Sequence, residues 1–456
     1  MRSPDLAMKE NAMATYTVSN QVQLDAAITK VKGGDIVVLA AGNYSSLSVL
    51  NKQLTSTVTF QSQSATNPAT VSYLRSVGSS NLVFQNLKVG RAVDPAVDKD
   101  WTNMALVENS SNVTLDGIKF FTSGAEDKYL GRGLFARGSS NVTVKNSDFS
   151  HLAVGMQVMS VSNANILSNK YHNLRIDGLE MTAVTGGKVD GNDFRDFKSD
   201  VAYHPDAIQI WTAGTAKPTT DLVISNNVIM PGTGVGSQGI FIQDEVGGVP
   251  HERITIRNNL LLDAGNYYNG IAVRGGKDIV IENNTSVSPT GDTKNFWIRL
   301  DNVQGATVTG NVADQMIQSN STGLSLSGNV FLNEQKSFAT KIAGINLGSS
   351  ATISSLIVSG VGYQLPGTSS TTTLATTSLA PTTTTTSTTT SLAAPTLSDT
   401  LTPISSGTTT TSTTAVAPLA KPLPSASVAL QIAAPTSPTT LLAAVRRHRS
   451  SLSLVG

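Results

Sequence analysis

One pattern of apolar and polar positions recurs along residues 14 to about 363: two or three apolar residues alternating with polar ones, then Asn or Gly-Asn. It reads NLVFQN ending at Asn86, NVTLDG at Gly117, NVTVKN at Asn146, NILSN at Asn169, GKVDGN at Asn192, LVISNN at Asn227, ITIRNN at Asn259, IVIENN at Asn284, TVTGN at Asn311 and LSLSGN at Asn329. The anchors lie between 18 and 35 residues apart. Alternation with period two predicts short strands, and self-similarity at such a period predicts a solenoid with loops of variable length inserted. The expected fold is all-β, a β-solenoid of about ten or more rungs. Asn227, Asn259, Asn284 and Asn146 are expected to bond rung to rung inside it.

A second phrase recurs once per rung: GLFAR from Gly133, GMQVM from Gly155, GLEMT from Gly178, AIQIW from Ala207, GIFIQ from Gly239, GIAVR from Gly270 and NFWIR from Asn295. Its second and fourth residues are apolar throughout and are expected to point inward. Its third and fifth are then expected to face solvent. Parallel stacking turns them into two columns, Phe135, Gln157, Glu180, Gln209, Phe241, Ala272, Trp297 and Arg137, Met159, Thr182, Trp211, Gln243, Arg274, Arg299.

The ends differ. Residues 20–32 carry Val22, Leu24, Ala27, Ile28 and Val31 near helical spacing, which predicts a helix capping the first rung. From about residue 367 the chain turns to Thr, Ser, Pro and Ala, and between Lys341 and Lys421 the only charged residue is Asp399. Such a composition cannot bury enough apolar surface to order itself. The expected organisation is therefore a disordered 1–13, a solenoid over 14–366 and a low-complexity tail over 367–456.

Charge and composition narrow the function. The 456 residues hold 32 Lys+Arg against 31 Asp+Glu and no cysteine. A balanced charge gives no electrostatic reason to expect nucleic acid as partner, and no cysteine means no disulfide or thiolate chemistry. No run of 18 apolar residues is present, so membrane insertion is not expected, and no secretory signal is visible at the N-terminus.

The helix followed by Gly34-Asp35-Ile36-Val37-Val38-Leu39 and Gly42-Asn43-Tyr44 resembles right-handed parallel β-helix proteins of the pectate-lyase-like superfamily, over roughly residues 15–350. The resemblance implies a polysaccharide partner and an extracellular or cell-surface location. Polar and aromatic residues concentrate between Lys198 and Trp211. Chemistry on a uronate needs a base for the C5 proton, an acid and a cation on the carboxylate. His204, Tyr203, Asp206 and Arg274 are the candidate catalytic residues, with His204 and Tyr203 expected to serve as base and acid and an Arg to neutralise the carboxylate. Lys198, Asp177, Glu180, Gln209, Trp211, Gln243 and Arg299 are expected to line an acidic polysaccharide, with Arg274 and Arg299 at one column position on adjacent rungs and Trp211 stacking on a pyranose. Alginate C5-epimerases and lyases on this fold pair Tyr and His with an acid, and Tyr203-His204-Pro205-Asp206 holds those residue types in another order. Relatives using calcium-bound acids make Asp244 and Glu245 candidate ligands of Ca2+.

The expectation is thus a polysaccharide lyase or C5-epimerase. Two alternatives stay open: a glycoside hydrolase using Asp177, Asp200 and Asp206, and a non-catalytic adhesin or tailspike-type protein. Each residue also has a structural use. Asp177 and Asp206 precede strands, where Asp caps turns, and Arg274 and Arg299 fit a ladder with Glu245 and Asp301.

Overall fold

The computed structural model describes residues 13–124, 128–199, 204–263, 267–288, 296–333, 357 and 360–366. Tyr203 and Asp200, the low-complexity tail and the separate C-terminal unit Pro403–Gly456 lie outside these residues.

Each rung supplies three short strands. In one rung they are Arg132–Arg137, Ser140–Lys145 and Asp148–Leu152. Among the described residues the first two positions build one 23-stranded sheet and the third builds a 12-stranded sheet. All pairings are parallel, in a register that runs from Leu134 through Met156, Leu179, Ile208, Ile240 and Ile271 to Ile298. The chain is a right-handed parallel β-helix, the fold expected from its repeats.

The Asn anchors are two residues doing two jobs. The first turns the chain in the left-handed region, as at Gly191 (φ 66), Asn226 (φ 56) and Asn258 (φ 50). The second points inward and joins a ladder through Asn169, Asn192, Asn227, Asn259, Asn284, Asn311 and Asn329. Asn192 Nδ2 donates to Asn227 Oδ1 (2.9 Å) and to the Ile166 carbonyl (2.9 Å), and its backbone N–H donates to the same Asn227 oxygen (2.9 Å). Asn227, Asn259 and Asn284 sit in the ladder as expected. Asn146 does not: it is the left-handed turn residue (φ 52), and Ser147 takes the inward place.

Beside the ladder, Phe120, Phe149, Tyr171 and Phe194 stack with centroids 4.5, 4.7 and 4.5 Å apart. This column explains the glycine that opens the second phrase. A Cβ on Gly155 would sit 2.7 Å from the Tyr171 ring and 2.5 Å from the Gly178 carbonyl oxygen.

A helix at Gln21–Lys30 covers the first rung, with Leu24, Ala27 and Ile28 buried and Asn20 accepting from Gln23 N–H. Val22, expected on the buried stripe, is 78% exposed. At the other end Tyr363 packs outside the 12-stranded sheet against Val228, Leu260, Leu262 and Val312. No helix among the described residues is long and apolar enough to cross a membrane.

Most insertions enter at one corner, where the third strand of a rung leads into the first strand of the next: 93–102, 124–131, 196–205, 263–270 and 288–297.

Candidate functional site

The outer face of the first-strand column carries three lines of side chains. The middle line runs Phe135, Gln157, Glu180, Gln209, Phe241, Ala272, Arg299, and the last line Arg137, Met159, Thr182, Trp211, Gln243, Arg274, Asp301. The expected columns hold for six rungs and slip by two residues at the seventh. Ala272 pairs with Arg299 and Arg274 with Asp301, so the two arginines do not share a column. Both converge on Asp301 Oδ2, Arg274 from 3.7 Å and Arg299 from 3.6 Å. The ladder with Asp301 is therefore real, and Arg274 adds a bond to Gln243 Oε1 (3.3 Å).

The expected solvent exposure does not hold at the centre. Gln157, Glu180 and Gln209 are 2%, 2% and 3% exposed, and Asp177 and Trp211 are buried with them. Trp211 therefore does not offer its face to a sugar. Residues of the corner insertions bond side chains beside this cluster: Asp100 and the Tyr129 carbonyl hold Arg175, and His204 and Asn269 meet Gln238.

A third line, one place before the recurring phrase, is polar in five of its six rungs: Arg132, Val154, Asp177, Asp206, Gln238 and Asn269. Asp177 Oδ1 accepts from Asp206 N–H (2.9 Å), the turn-capping use noted from sequence. Asp206 is fully buried; its Oδ2 accepts from Gln209 Nε2 (2.6 Å), while its Oδ1 has no hydrogen-bond partner among the described residues and lies 3.8 Å from His204 Nδ1. His204 is about one-third exposed at its side chain (36%) and accepts at Nδ1 from Gln238 Nε2 (2.9 Å). Three rungs back, Arg132 Nη2 lies 4.0 Å from Glu180 Oε2, both side chains 3% exposed, and its guanidinium sits 5.1 Å from the Phe135 ring. Lys198 enters this corner with its backbone N–H on the Leu174 carbonyl (2.8 Å).

The loop at 267–270 adds what the sequence reading missed. Burial, with the charges of Asp263 and Asp206, pushes the Tyr267 phenol up to about 12, so it is neutral at ordinary pH. Tyr268 stacks on Trp297 at 4.6 Å. Gln238, Asn269 and Arg132 all precede the phrase, and a polar residue recurring at that place was the available signal.

Asp244 does not fit a cation. Its Oδ1 accepts from Thr212 Oγ1 (2.9 Å) and Gly247 N–H (2.9 Å), and its Oδ2 from Val249 N–H (2.7 Å). Burial works to raise this carboxyl, but these donors outweigh it and hold it below the usual range. The donors already occupy both oxygens and shape the 244–250 turn. Glu245 follows it, partly buried. Among the described residues no group of three or more His, Cys, Asp or Glu is placed to hold a metal.

Comparison with known proteins agrees with the fold. Residues 74–229 match the family model described as right handed beta helix region, which upholds the resemblance to pectate-lyase-like β-helices at the level of fold. No curated protein matches the chain. Among solved structures, an alginate lyase from Paenibacillus sp. str. FPU-7 is 16% identical over 70% of this chain and 97% of its own, with a TM-score of 0.43. The PL6 family alginate lyase AlyGC is 15% identical over 69% of this chain, which spans 51% of that enzyme, at a TM-score of 0.44. PfbA, a surface adhesin of Streptococcus pneumoniae, is 14% identical over 68% of this chain and 85% of its own, at 0.48.

Proposed function

We propose that this β-helix acts outside the cell on a uronate-containing polysaccharide, as a lyase or C5-epimerase, with proton transfer at the corner built around His204 and Asp206. The observation that carries this is the pairing of a fully buried carboxylate, one oxygen unpartnered, with a partly exposed imidazole 3.8 Å away. An unsatisfied buried carboxylate costs stability, and such groups cluster where chemistry is done. Arg274 and Arg299 stand at the rim as cations for the substrate carboxylate, with side chains 39% and 25% exposed. Asp177, Glu180, Gln209 and Trp211 support the corner from beneath, and Lys198 and Gln243 border it. Tyr203 completes the proposed set from outside the described residues.

The test is incubation of the full chain with alginate, pectate and hyaluronan, with and without calcium, following the ultraviolet absorbance of unsaturated uronate and the uronate composition of the polymer. Product formation or an altered composition is expected, lost in His204→Ala and Asp206→Asn with the fold intact. No unsaturation and no change of composition on any uronate polymer would overturn the proposal. A second reading, glycan binding without turnover, is favoured by Phe135 and Phe241. These are partly exposed aromatic rings in one column, four rungs apart, about 19 Å at the usual strand spacing.

A further inference from the structure

We infer that Trp297, Asn269 and Gln238 are positioning residues that set the tautomer of His204, keeping its Nδ1 an acceptor and its proton on Nε2. Four consecutive rungs contribute one member each, and the hydrogen bonds run in one sense. Trp297 Nε1–H donates to Asn269 Oδ1 (2.9 Å), Asn269 Nδ2 donates to Gln238 Oε1 (2.5 Å), and Gln238 Nε2 donates to His204 Nδ1 (2.9 Å).

The sense of this chain follows from chemistry. An indole nitrogen only donates, so the Asn269 atom facing it must be the carbonyl oxygen. The other end of Asn269 is then the amide nitrogen, which requires oxygen on Gln238, which in turn leaves the Gln238 nitrogen facing His204. Flipping either amide would set two donors or two acceptors against each other. A ring nitrogen that accepts carries no proton in neutral histidine, so the proton is on Nε2.

Asp206 supplies the other half of the device. At 3.8 Å its Oδ1 is beyond a hydrogen bond from Nδ1. When His204 takes up a second proton, Nδ1–H can no longer face the Gln238 amide N–H, and the unpartnered Asp206 Oδ1 is an acceptor a short swing away. Nε2 carries a proton in both states. Resting on the function proposed above, this makes His204 the acid of the reaction: as a water or hydroxide takes the C5 proton and the glycosidic C–O bond breaks, imidazolium gives its Nε2 proton to the departing oxygen. Neutral imidazole is left with Nδ1–H held by Asp206, and the ring returns to the resting Nε2–H tautomer by proton exchange with water. The acid role departs from the base role expected of His204 on sequence.

The tautomer can be read without substrate. The full chain labelled with 15N-histidine is examined by long-range proton–nitrogen correlation at a pH where His204 is neutral, its signals assigned by their loss in His204→Ala. That pH matters because Asp206 beside the ring, Asp177 one rung back and any added carboxylate all favour imidazolium, whereas Tyr267 in the facing loop stays uncharged. The wild type is expected to show a protonated Nε2 and a bare Nδ1. Asn269→Asp is the sharpest variant. With two acceptor oxygens at position 269, the Gln238 amide must turn its N–H toward the new carboxylate and its oxygen toward His204, moving the proton to Nδ1. Gln238→Glu is expected to give the same exchange directly, and Trp297→Phe a mixture of the two tautomers. A bare Nε2 in the wild type would overturn the inference, as would unchanged nitrogen signals in both folded carboxylate variants. Should one of these variants fail to fold, the other decides. Failure of the wild type on every uronate polymer would remove the proposed function and leave the tautomer result standing.

Discussion

Two buried polar ladders run along this helix, one inside and one outside, and they are built to opposite standards. The inner ladder from Asn169 to Asn329 meets each amide with donors and acceptors from the next rung. The outer polar face, from Arg132 to Gln238 with Gln157, Glu180 and Gln209 in the line beside it, is also buried yet leaves Gln157 Nε2 and Asp206 Oδ1 without partners among the described residues. Both are buried, so the difference is not exposure to water. A satisfied ladder holds the rungs together; an unsatisfied one costs stability and persists for another reason.

The largest effect that would break this contrast is expected at the middle of the inner ladder. Asn227→Ala removes the acceptor of Asn192 N–H and the donor to the Val189 carbonyl, both buried. Two orphaned backbone groups predict a loss of about 3–5 kcal/mol, measured as a drop in the denaturant midpoint. The matched outer change, Asp206→Asn, keeps an acceptor for Gln209 and removes a buried charge with an unpartnered oxygen. It is expected to move stability by less than about 1 kcal/mol. Equal losses at the two sites would remove the distinction.

That distinction was only half legible in the sequence. The inner ladder announced itself because period-two strands must be joined by turns, and a left-handed residue followed by an inward Asn is a local requirement. The outer columns were legible as far as their face, since alternation fixes the face, but a slip of two residues changes the rung partner and leaves the face untouched. This is why Arg299 was set beside Arg274 when its partner is Ala272. Burial of Glu180 and Gln209 was not legible at all. It is a tertiary outcome, and the alternation along a single strand records which face a residue takes but not what packs over that face. Gln238 and Asn269 carried a signal only as the recurrent polar place before each strand.

The same corner supplies a pH test of intermediate size. Burial pushes the Asp314 carboxyl up to about 6, against the N–H groups of Phe296 and Ser288 that bond it and aided by the charge of Asp263. A raised carboxyl binds its proton more tightly folded than unfolded. Stability is therefore greatest below the unfolded value near 4 and declines as pH rises through about 6. Asp314→Asn keeps the oxygen that accepts both N–H groups and cannot ionise. It is expected to be more stable than the wild type at pH 7 by on the order of 2–3 kcal/mol, the difference vanishing near pH 4. A constant difference across that range would show that the carboxyl does not titrate as described.

The smallest effect tests whether the interior is as well satisfied as the Asn ladder suggests. Tyr171 stacks between Phe149 and Phe194 in the core, and its hydroxyl is fully buried with no hydrogen-bond partner among the described residues. Burial alone drives its pKa upward, so the group remains a neutral phenol. Unlike Asp206, it stands beside no second titrating group that would give it a use, and both stacked neighbours are phenylalanine. Tyr171→Phe removes a desolvated hydroxyl while keeping the ring, and is expected to raise stability by about 1 kcal/mol, seen as a small upward shift in thermal midpoint with no change in activity. Loss of stability would mean that the hydroxyl is satisfied in solution by a buried water, and the inner side of the helix would then be satisfied at every polar group named here. A gain would leave one unsatisfied atom inside as well, and would make proximity to a second functional group, not the missing partner alone, the feature that separates the corner from the core.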